Sequence, residues 1–270
     1  MPELPEMETY RSLLSEHVTG RTITNIEINR PKSINTSPDA FERELVKNRV
    51  TAIDRRAKHL IFRLDTGKNL LLHLMLGGWM YLGNDNDSPG RTKQVVIAFG
   101  DMKLFFIGLR LGYLHLLSGV EMAHALAGLG PEPLDPGFTF EKFHGRVQQR
   151  KGTLKTMLVN QQIIAGIGNS YSDEICFEAR LRPTKKVSEL PPDGLRRLYD
   201  GMRSVLNLAV ATGGNTETPL FSGDRKTGGY LSTVKVYDRE GEPCKRCGAT
   251  IIKEIVTSRK TFYCPNCQKE

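Results

Sequence analysis

The sequence predicts an α+β chain with two unlike parts, and three observations carry that prediction. Up to residue 117, short apolar runs alternate with turn residues. From residue 140 to 211, apolar side chains recur at helical spacing. Four of the five cysteines lie in the last 27 residues. Many short strands with turn signals point to a sandwich or barrel. The helical stretch and the cysteine cluster point to separate modules behind it.

Taken in order, residues 5–18 (PEMETYRSLLSEHV) place Met7, Tyr10, Leu13, Leu14 and Val18 on one helix face, with Gly20 as a stop. Strand-like runs follow at Thr22–Asn29, Leu60–Leu64, Leu70–Leu76, Val95–Phe99, Lys103–Ile107 and Leu114–Leu117, with Gly83–Arg91 the clearest loop. Residues 117–138 read as a short helix and then a Pro/Gly connection, where the first domain ends. Helical periods cover Phe140–Gln149, Leu154–Val159, Ser170–Ala179 and Asp193–Ala211. Thr212–Ser232 is a long glycine-rich polar loop, of the kind that is functional or disordered. The domains expected are 1–130, 131–232 and 233–270.

The 270 residues carry 38 Lys+Arg against 30 Asp+Glu, a net charge of +8. This balance permits a polyanionic partner without demanding one. Apolar content of 39% and charged content of 25% exclude wholesale disorder. No apolar run is long enough for a membrane helix. The acidic, proline-broken start is unlike a signal peptide, so a cytoplasmic protein is expected.

The strongest motif is Cys244-x2-Cys247-x16-Cys264-x2-Cys267. Two CxxC knuckles present four thiolates to one tetrahedral zinc, and four protein ligands leave no open position, so the metal is structural. Cys176, inside the apolar ICFEARL, reads as a core thiol. Lys253, Arg259 and Lys260 lie between the knuckles, either as a nucleic-acid grip or as a solvated hairpin tip.

A second motif is Gly166-Ile-Gly168-Asn169-Ser-Tyr171, a turn opening a helix. The glycines permit a sharp turn and a close approach. A helix N-terminus attracts phosphate, and Arg150, Lys151 and Lys155 add positive charge upstream. Taken alone, the turn is equally a structural one.

The third motif is the start of the chain. Removing Met1 ahead of Pro2 leaves a secondary amine, and an α-amino group has an appreciable neutral fraction near neutral pH. Such an amine attacks an aldehyde-like carbon to form an iminium ion, and the adjacent Glu3 can move protons. Otherwise Pro2 and Glu3 are an ordinary exposed terminus. Lys58 lies beside a strand, where it either meets phosphate or stays solvated. His73, between Leu72 and Leu74, reads as a satisfied core histidine.

In combination the motifs are specific. PELPEMET, RRAKHL, LGPEPL, GIGNSYSDE and the end EPCKRCG…RKTFYCPNCQK occur in this order. The chain resembles the formamidopyrimidine-DNA glycosylase / endonuclease VIII family over its whole length. The resemblance implies an N-terminal β-sandwich with flanking helices, then a helix-two-turn-helix domain and a four-cysteine zinc finger, with DNA in the cleft between the halves.

The resemblance also implies base-excision repair by a bifunctional glycosylase and AP lyase acting as a monomer on damaged duplex DNA. Pro2 would attack C1′, Glu3 would serve as acid and base, Lys58 would assist β-elimination, and Arg259 would grip phosphates and assist δ-elimination. Lys151, Lys155, Gly168, Asn169 and Tyr171 would contact DNA. The alternative on the same scaffold is a catalytically weak reader of damaged or abasic DNA.

LPE at Leu4–Glu6 and the long 212–232 loop resemble the formamidopyrimidine branch. The residues that read the duplex depart from it. Leu76 stands where the branch has methionine, Leu109 where it has arginine, Leu111 where it has phenylalanine, and Thr92 where it has histidine. Three leucines can wedge between bases but cannot hydrogen-bond an estranged base. Weak discrimination of the opposite base is therefore expected, with Arg110 as a neighbouring substitute.

Overall fold

The structure is a computed structural model describing residues 1–190 and 192–269, with the backbone alone at Pro192. The chain forms two compact units. One is Met1–Ala127 with Thr212–Gly229, and the other is Gly128–Ala211 with the chain from Tyr230 onward.

In the first unit, α1 (Leu4–Val18) precedes β1 (Asn25–Ile28), α2 (Pro38–Leu45) and seven more strands. These are β2 (Val50–Arg56), β3 (His59–Leu64), β4 (Asn69–His73), β5 (Trp79–Gly83), β6 (Lys93–Phe99), β7 (Met102–Ile107) and β8 (Tyr113–Leu117). A short α3 (Gly119–Leu126) follows, started by Ser118, whose side chain accepts the Glu121 N–H.

The strands make two antiparallel four-stranded sheets, ordered β1-β6-β7-β5 and β2-β3-β4-β8. One core cluster draws on both sheets, with Ile26, Ile97, Leu104 and Phe106 from one and Leu60, Phe62, Leu72 and Leu114 from the other. This is the expected sandwich. The period-two alternation sends Leu60, Phe62 and Leu64 inward. The same alternation leaves His59, Ile61 and Arg63 on the outer face.

Two strands and a helix escape the sequence reading. β2 ends Asp54-Arg55-Arg56, charges that hide its alternation. β5 is a short WMYLG run directly after the Leu74–Gly78 turn, beyond the Leu70–Leu76 run read as a strand. α2 is announced by Ser37, whose side chain accepts from the Ala40 N–H, with Pro38 at the first helical turn.

The Thr212–Gly229 segment packs on the sandwich rather than with the helices that flank it in sequence. Leu220 enters the sandwich core, and its carbonyl accepts the N–H of Leu82 on edge strand β5 at 2.7 Å. Phe221 meets the His17 ring edge-on at 4.9 Å. Asp224 accepts the N–H groups of Leu220, Lys226 and Thr227. The loop therefore has an apolar anchor in Leu220 and a turn held by the Asp224 carboxylate.

The second unit contains α4 (Phe140–Val147), α5 (Leu154–Leu158), α6 (Asn169–Glu178) and α7 (Pro192–Ala211), then β9 (Ile252–Val256) and β10 (Arg259–Tyr263). Cys176 is in the helical core, as its surroundings in sequence imply. Two turns join α5 to α6, knitted by Gln161, which donates to the Val159 and Ile167 carbonyls and accepts the Gly166 N–H. The zinc-finger segment belongs to this unit rather than standing alone. Arg246 lies 4.1 Å over the Phe177 ring and donates to the Phe177 carbonyl at 3.1 Å. Among the described residues, no helix is long and apolar enough to cross a membrane.

Candidate functional site

Glu3 is the N-cap of α1. Its N–H donates to Glu6 Oε2 at 2.7 Å while its side chain accepts the Glu6 N–H, a reciprocal capping box. Pro5 in the first turn and extended backbone at Glu3 explain why the helix begins here. Glu3 is buried and Pro2 half-buried, so the start of the chain is a built feature. Glu6 has a second partner, because its Oε1 accepts the Asn215 N–H at 2.6 Å. The backbone passes so close there that a Cβ on Gly214 would lie 2.5 Å from Glu6 Oε1.

Lys58 lies in the two-residue turn closing the β2–β3 hairpin, and only 4% of it is exposed. Ala57 before it has φ +52°, a conformation that favours glycine. Arg55 holds this turn to α1. Its Nε donates to Glu8 Oε2 at 2.8 Å and its Nη1 to the Ala57 carbonyl at 3.1 Å. Burial raises the Glu8 carboxyl, but Arg55 and Arg11 outweigh it and hold Glu8 below the usual carboxylate range. One helix thus carries the Pro2–Glu3 terminus and, through Glu8, fixes the lysine turn.

Beside this turn a row of rings crosses the outer sheet face. His59, His73 and Tyr113 are register partners on β3, β4 and β8. His59 Nε2 is 3.1 Å from the Tyr113 hydroxyl. Burial pushes the imidazoles down, His59 to about 4 and His73 to about 3. The expected core role of His73 gives way to a half-buried position at a strand end. The alternation His59-Ile61-Arg63 against Leu60-Phe62 would have placed His59 outward. Nothing in one sequence pairs it with Tyr113.

Leu109, expected to be exposed at a reading position, is 0% exposed and belongs to the sandwich core. Its N–H donates to Gln94 Oε1 at 3.0 Å. Leu76 and Leu111 are 68% and 65% exposed, and Arg110 is exposed between the two loop leucines 109 and 111. Of the three leucines, two are therefore exposed, because Leu109 turns inward.

In the second unit, Lys155 and Tyr171 are corrections to the expected DNA-contacting set. Lys155 is 0% exposed; its Nζ donates to Asp173 Oδ1 at 2.7 Å and to the Asn169 carbonyl at 2.8 Å. Asp173 Oδ2 accepts the Phe262 N–H at 3.0 Å. Burial pushes the Asp173 carboxyl up, against the pull of Lys155. The pair ties α5, α6 and β10 together, which a helix-start charge read in isolation does not reveal. Tyr171 packs in the helical core against Tyr230.

Glu174 accepts three consecutive N–H groups, from Lys235, Val236 and Tyr237. Two carboxylates within the otherwise core-facing SYSDEICF were the sequence signal for these buried anchors. Gly168 is the N-cap of α6, and Asn169 donates to the Lys260 carbonyl at 2.9 Å. Lys151, Arg259 and Lys260 are exposed. The hairpin tip that presents Arg259 turns through Thr257 and Ser258, both at positive φ.

The sulfurs of Cys244, Cys247, Cys264 and Cys267 all lie within 4.8 Å of one another. Cys244–Cys267 is 3.9 Å and Cys247–Cys264 is 3.5 Å. A tetrahedron with Zn–S bonds of ~2.3 Å has edges of about 3.8 Å, so the four thiolates fit one structural zinc.

Comparison with known proteins agrees with this architecture. Residues 1–113 match the formamidopyrimidine-DNA glycosylase N-terminal domain, 129–219 the H2TH domain of the same enzymes, and 241–269 the zinc finger found in FPG and IleRS. The chain is 36% identical to the formamidopyrimidine-DNA glycosylase of Listeria innocua, covering 100% of both chains. It is 38% identical to that of Symbiobacterium thermophilum, covering 99% of this chain and 89% of the relative. A Lactococcus lactis Fpg structure in complex with DNA containing an abasic site superposes with a TM-score of 0.92 at 30% identity, covering 99% of this chain and 100% of that one. The chain belongs to the formamidopyrimidine-DNA glycosylase / endonuclease VIII family of DNA-repair glycosylases, on its formamidopyrimidine branch.

Proposed function

We propose that the protein is a bifunctional DNA glycosylase and AP lyase, acting as a monomer, that removes oxidised or ring-opened bases from duplex DNA. The observation that carries this reading is the capped start of the chain, where Glu3 is locked by Glu6 beside a half-buried Pro2. The L. lactis relative has been solved with DNA containing Fapy-dG and an oxidised pyrimidine, which sets the substrate class proposed.

With Met1 removed, the Pro2 nitrogen lone pair forms a bond to C1′ as the bond from C1′ to the base breaks. The base leaves with that electron pair and takes up a proton, while the Pro2 nitrogen, now bonded to C1′, gives up its N–H proton and regains a lone pair. Glu3 then protonates O4′ as the sugar ring opens, leaving an iminium between Pro2 and C1′. A proton leaves C2′ and the 3′ phosphate departs, with Lys58 assisting. A second elimination expels the 5′ phosphate, with Arg259 stabilising it. Water then hydrolyses the iminium and frees Pro2. Lys151, Gly168 and Asn169 grip the backbone, while Leu76 and Leu111 fill the space the flipped nucleotide leaves.

The test is borohydride trapping on duplexes bearing either an abasic site or 8-oxoguanine opposite cytosine. A covalent adduct on abasic DNA, lost in Pro2→Gly and in protein with a blocked N-terminus, is expected. Tight binding without an adduct would instead establish the non-catalytic reader. An adduct on abasic DNA alone would keep the lyase chemistry and move the substrate to other lesions.

A further inference from the structure

Between β4 and β5 the chain turns through Leu74–Gly78 and carries Leu76 into solvent. The facing turn, between β7 and β8, carries Leu111. The two turns touch backbone to backbone. A Cβ on Gly108, itself at φ +68°, would lie 2.0 Å from the Gly77 carbonyl oxygen, so only glycine fits. Leu76 owes its place to the backbone beneath it, since its exposed side chain has little packing to hold it.

That backbone is unusual at Met75, which has φ +51° without being glycine. One side-chain bond is made to this residue: the Met75 N–H donates to His73 Nδ1 at 3.0 Å. A ring nitrogen that accepts an N–H carries its lone pair there, so the His73 proton sits on Nε2. The ring is itself braced. His59 lies 4.4 Å from it, edge to face, and Tyr113 lies 5.9 Å from it. His59 is held at both nitrogens, by the Arg56 carbonyl at 3.3 Å and the Tyr113 hydroxyl at 3.1 Å.

We propose that His73 is a positioning residue for the wedge: its Nδ1 locks the Leu74–Gly78 turn in the left-handed form that presents Leu76 beside Leu111, and His59 with Tyr113 holds the ring in register. The proposal rests on the DNA-glycosylase reading and deepens it. A wedge preformed in this way does not have to be ordered as the nucleotide leaves the stack.

The test uses the zinc-loaded full chain and a duplex with 2-aminopurine opposite a tetrahydrofuran abasic analogue. Fluorescence titration reports both affinity and unstacking. Asn places an oxygen where Nδ1 stands, and Gln places one where Nε2 stands. His73→Asn is expected to stay within about threefold of wild type and His73→Gln to lose about tenfold, the scale of one hydrogen bond. In a Leu76→Ala background, His73→Gln is expected to change affinity less than about twofold, because the two act through one element.

The reverse order of Asn and Gln, or a full loss retained in the Leu76→Ala background, would mean that His73 touches DNA directly and would overturn the proposal. Wild-type behaviour of His73→Gln would overturn it too. Borohydride trapping of the wild type on abasic DNA runs alongside. If trapping is absent the enzymatic reading fails, and the fluorescence order alone then decides whether His73 sets the wedge.

Discussion

Arg110 is the one exposed cation on the wedge turn, flanked by buried Leu109 and exposed Leu111. Leucine offers a base no hydrogen bond, so under the proposed function the reading of the opposite base would fall to Arg110, whose guanidinium can donate to a guanine edge or a cytosine carbonyl. Arg110→Ala is expected to bring excision rates opposite the four bases to within about threefold of one another, the residue of one lost bidentate contact. An unchanged ratio would remove Arg110 from opposite-base reading. The sequence displayed the three leucines but not their directions. Leu109 turns inward because the sandwich core takes its side chain and Gln94 takes its N–H. Lys155 errs in the same way. A lysine near a helix start reads as a phosphate ligand until its buried partner Asp173 is seen.

At the scale of elements, the sheet face that carries His59 and His73 makes stability depend on pH. Burial holds both imidazoles neutral in the folded chain, at about 4 and about 3, while unfolded histidine takes its proton near 6.5. The unfolded chain therefore binds more protons between those values. The stability is fully present above pH ~6.5 and is lost as pH falls toward 4. From pH 7 to 5 the loss is at most ~2 kcal/mol per histidine. Urea midpoints are expected to fall over that interval, and His59→Phe is expected to remove about half of the drop. An undiminished drop in that variant would place the titration elsewhere. Strands that are apolar runs bounded by turn residues, such as β3 and β6, were legible from sequence. β2 was not, because its Asp54 and Arg55 meet partners on other elements: Arg63 on β3 and Glu8 on α1.

For the whole molecule, zinc is the joint through which metal content reaches DNA binding. The finger segment packs with the helices, and Phe262 on β10 donates to Asp173 on α6. Structural zinc sites contribute ~10 kcal/mol or more of binding free energy to folding. Chelation is expected to melt the β9–β10 hairpin and weaken binding to abasic duplex at least about a hundredfold, ~2.7 kcal/mol. The sandwich, which has its own core, should still melt cooperatively in calorimetry. Undiminished DNA binding by the zinc-free protein would show that Arg259 and Lys260 carry little of the grip.

By itself the sequence determined most of the elements, the four zinc ligands, the candidate Pro2–Glu3 pair and the family, because each is written locally: a period of two or 3.6, a CxxC knuckle, a run of adjoining motif residues. The tertiary structure alone decided which way Leu109 faces, that Lys155 and Tyr171 are interior, that Thr212–Gly229 packs on the sandwich, and that His73 meets Met75 in a turn braced by His59 and Tyr113. These depend on partners brought together from distant strands and helices. Burial and hydrogen bonding are properties of that shared space, which a single residue's neighbours in sequence do not encode.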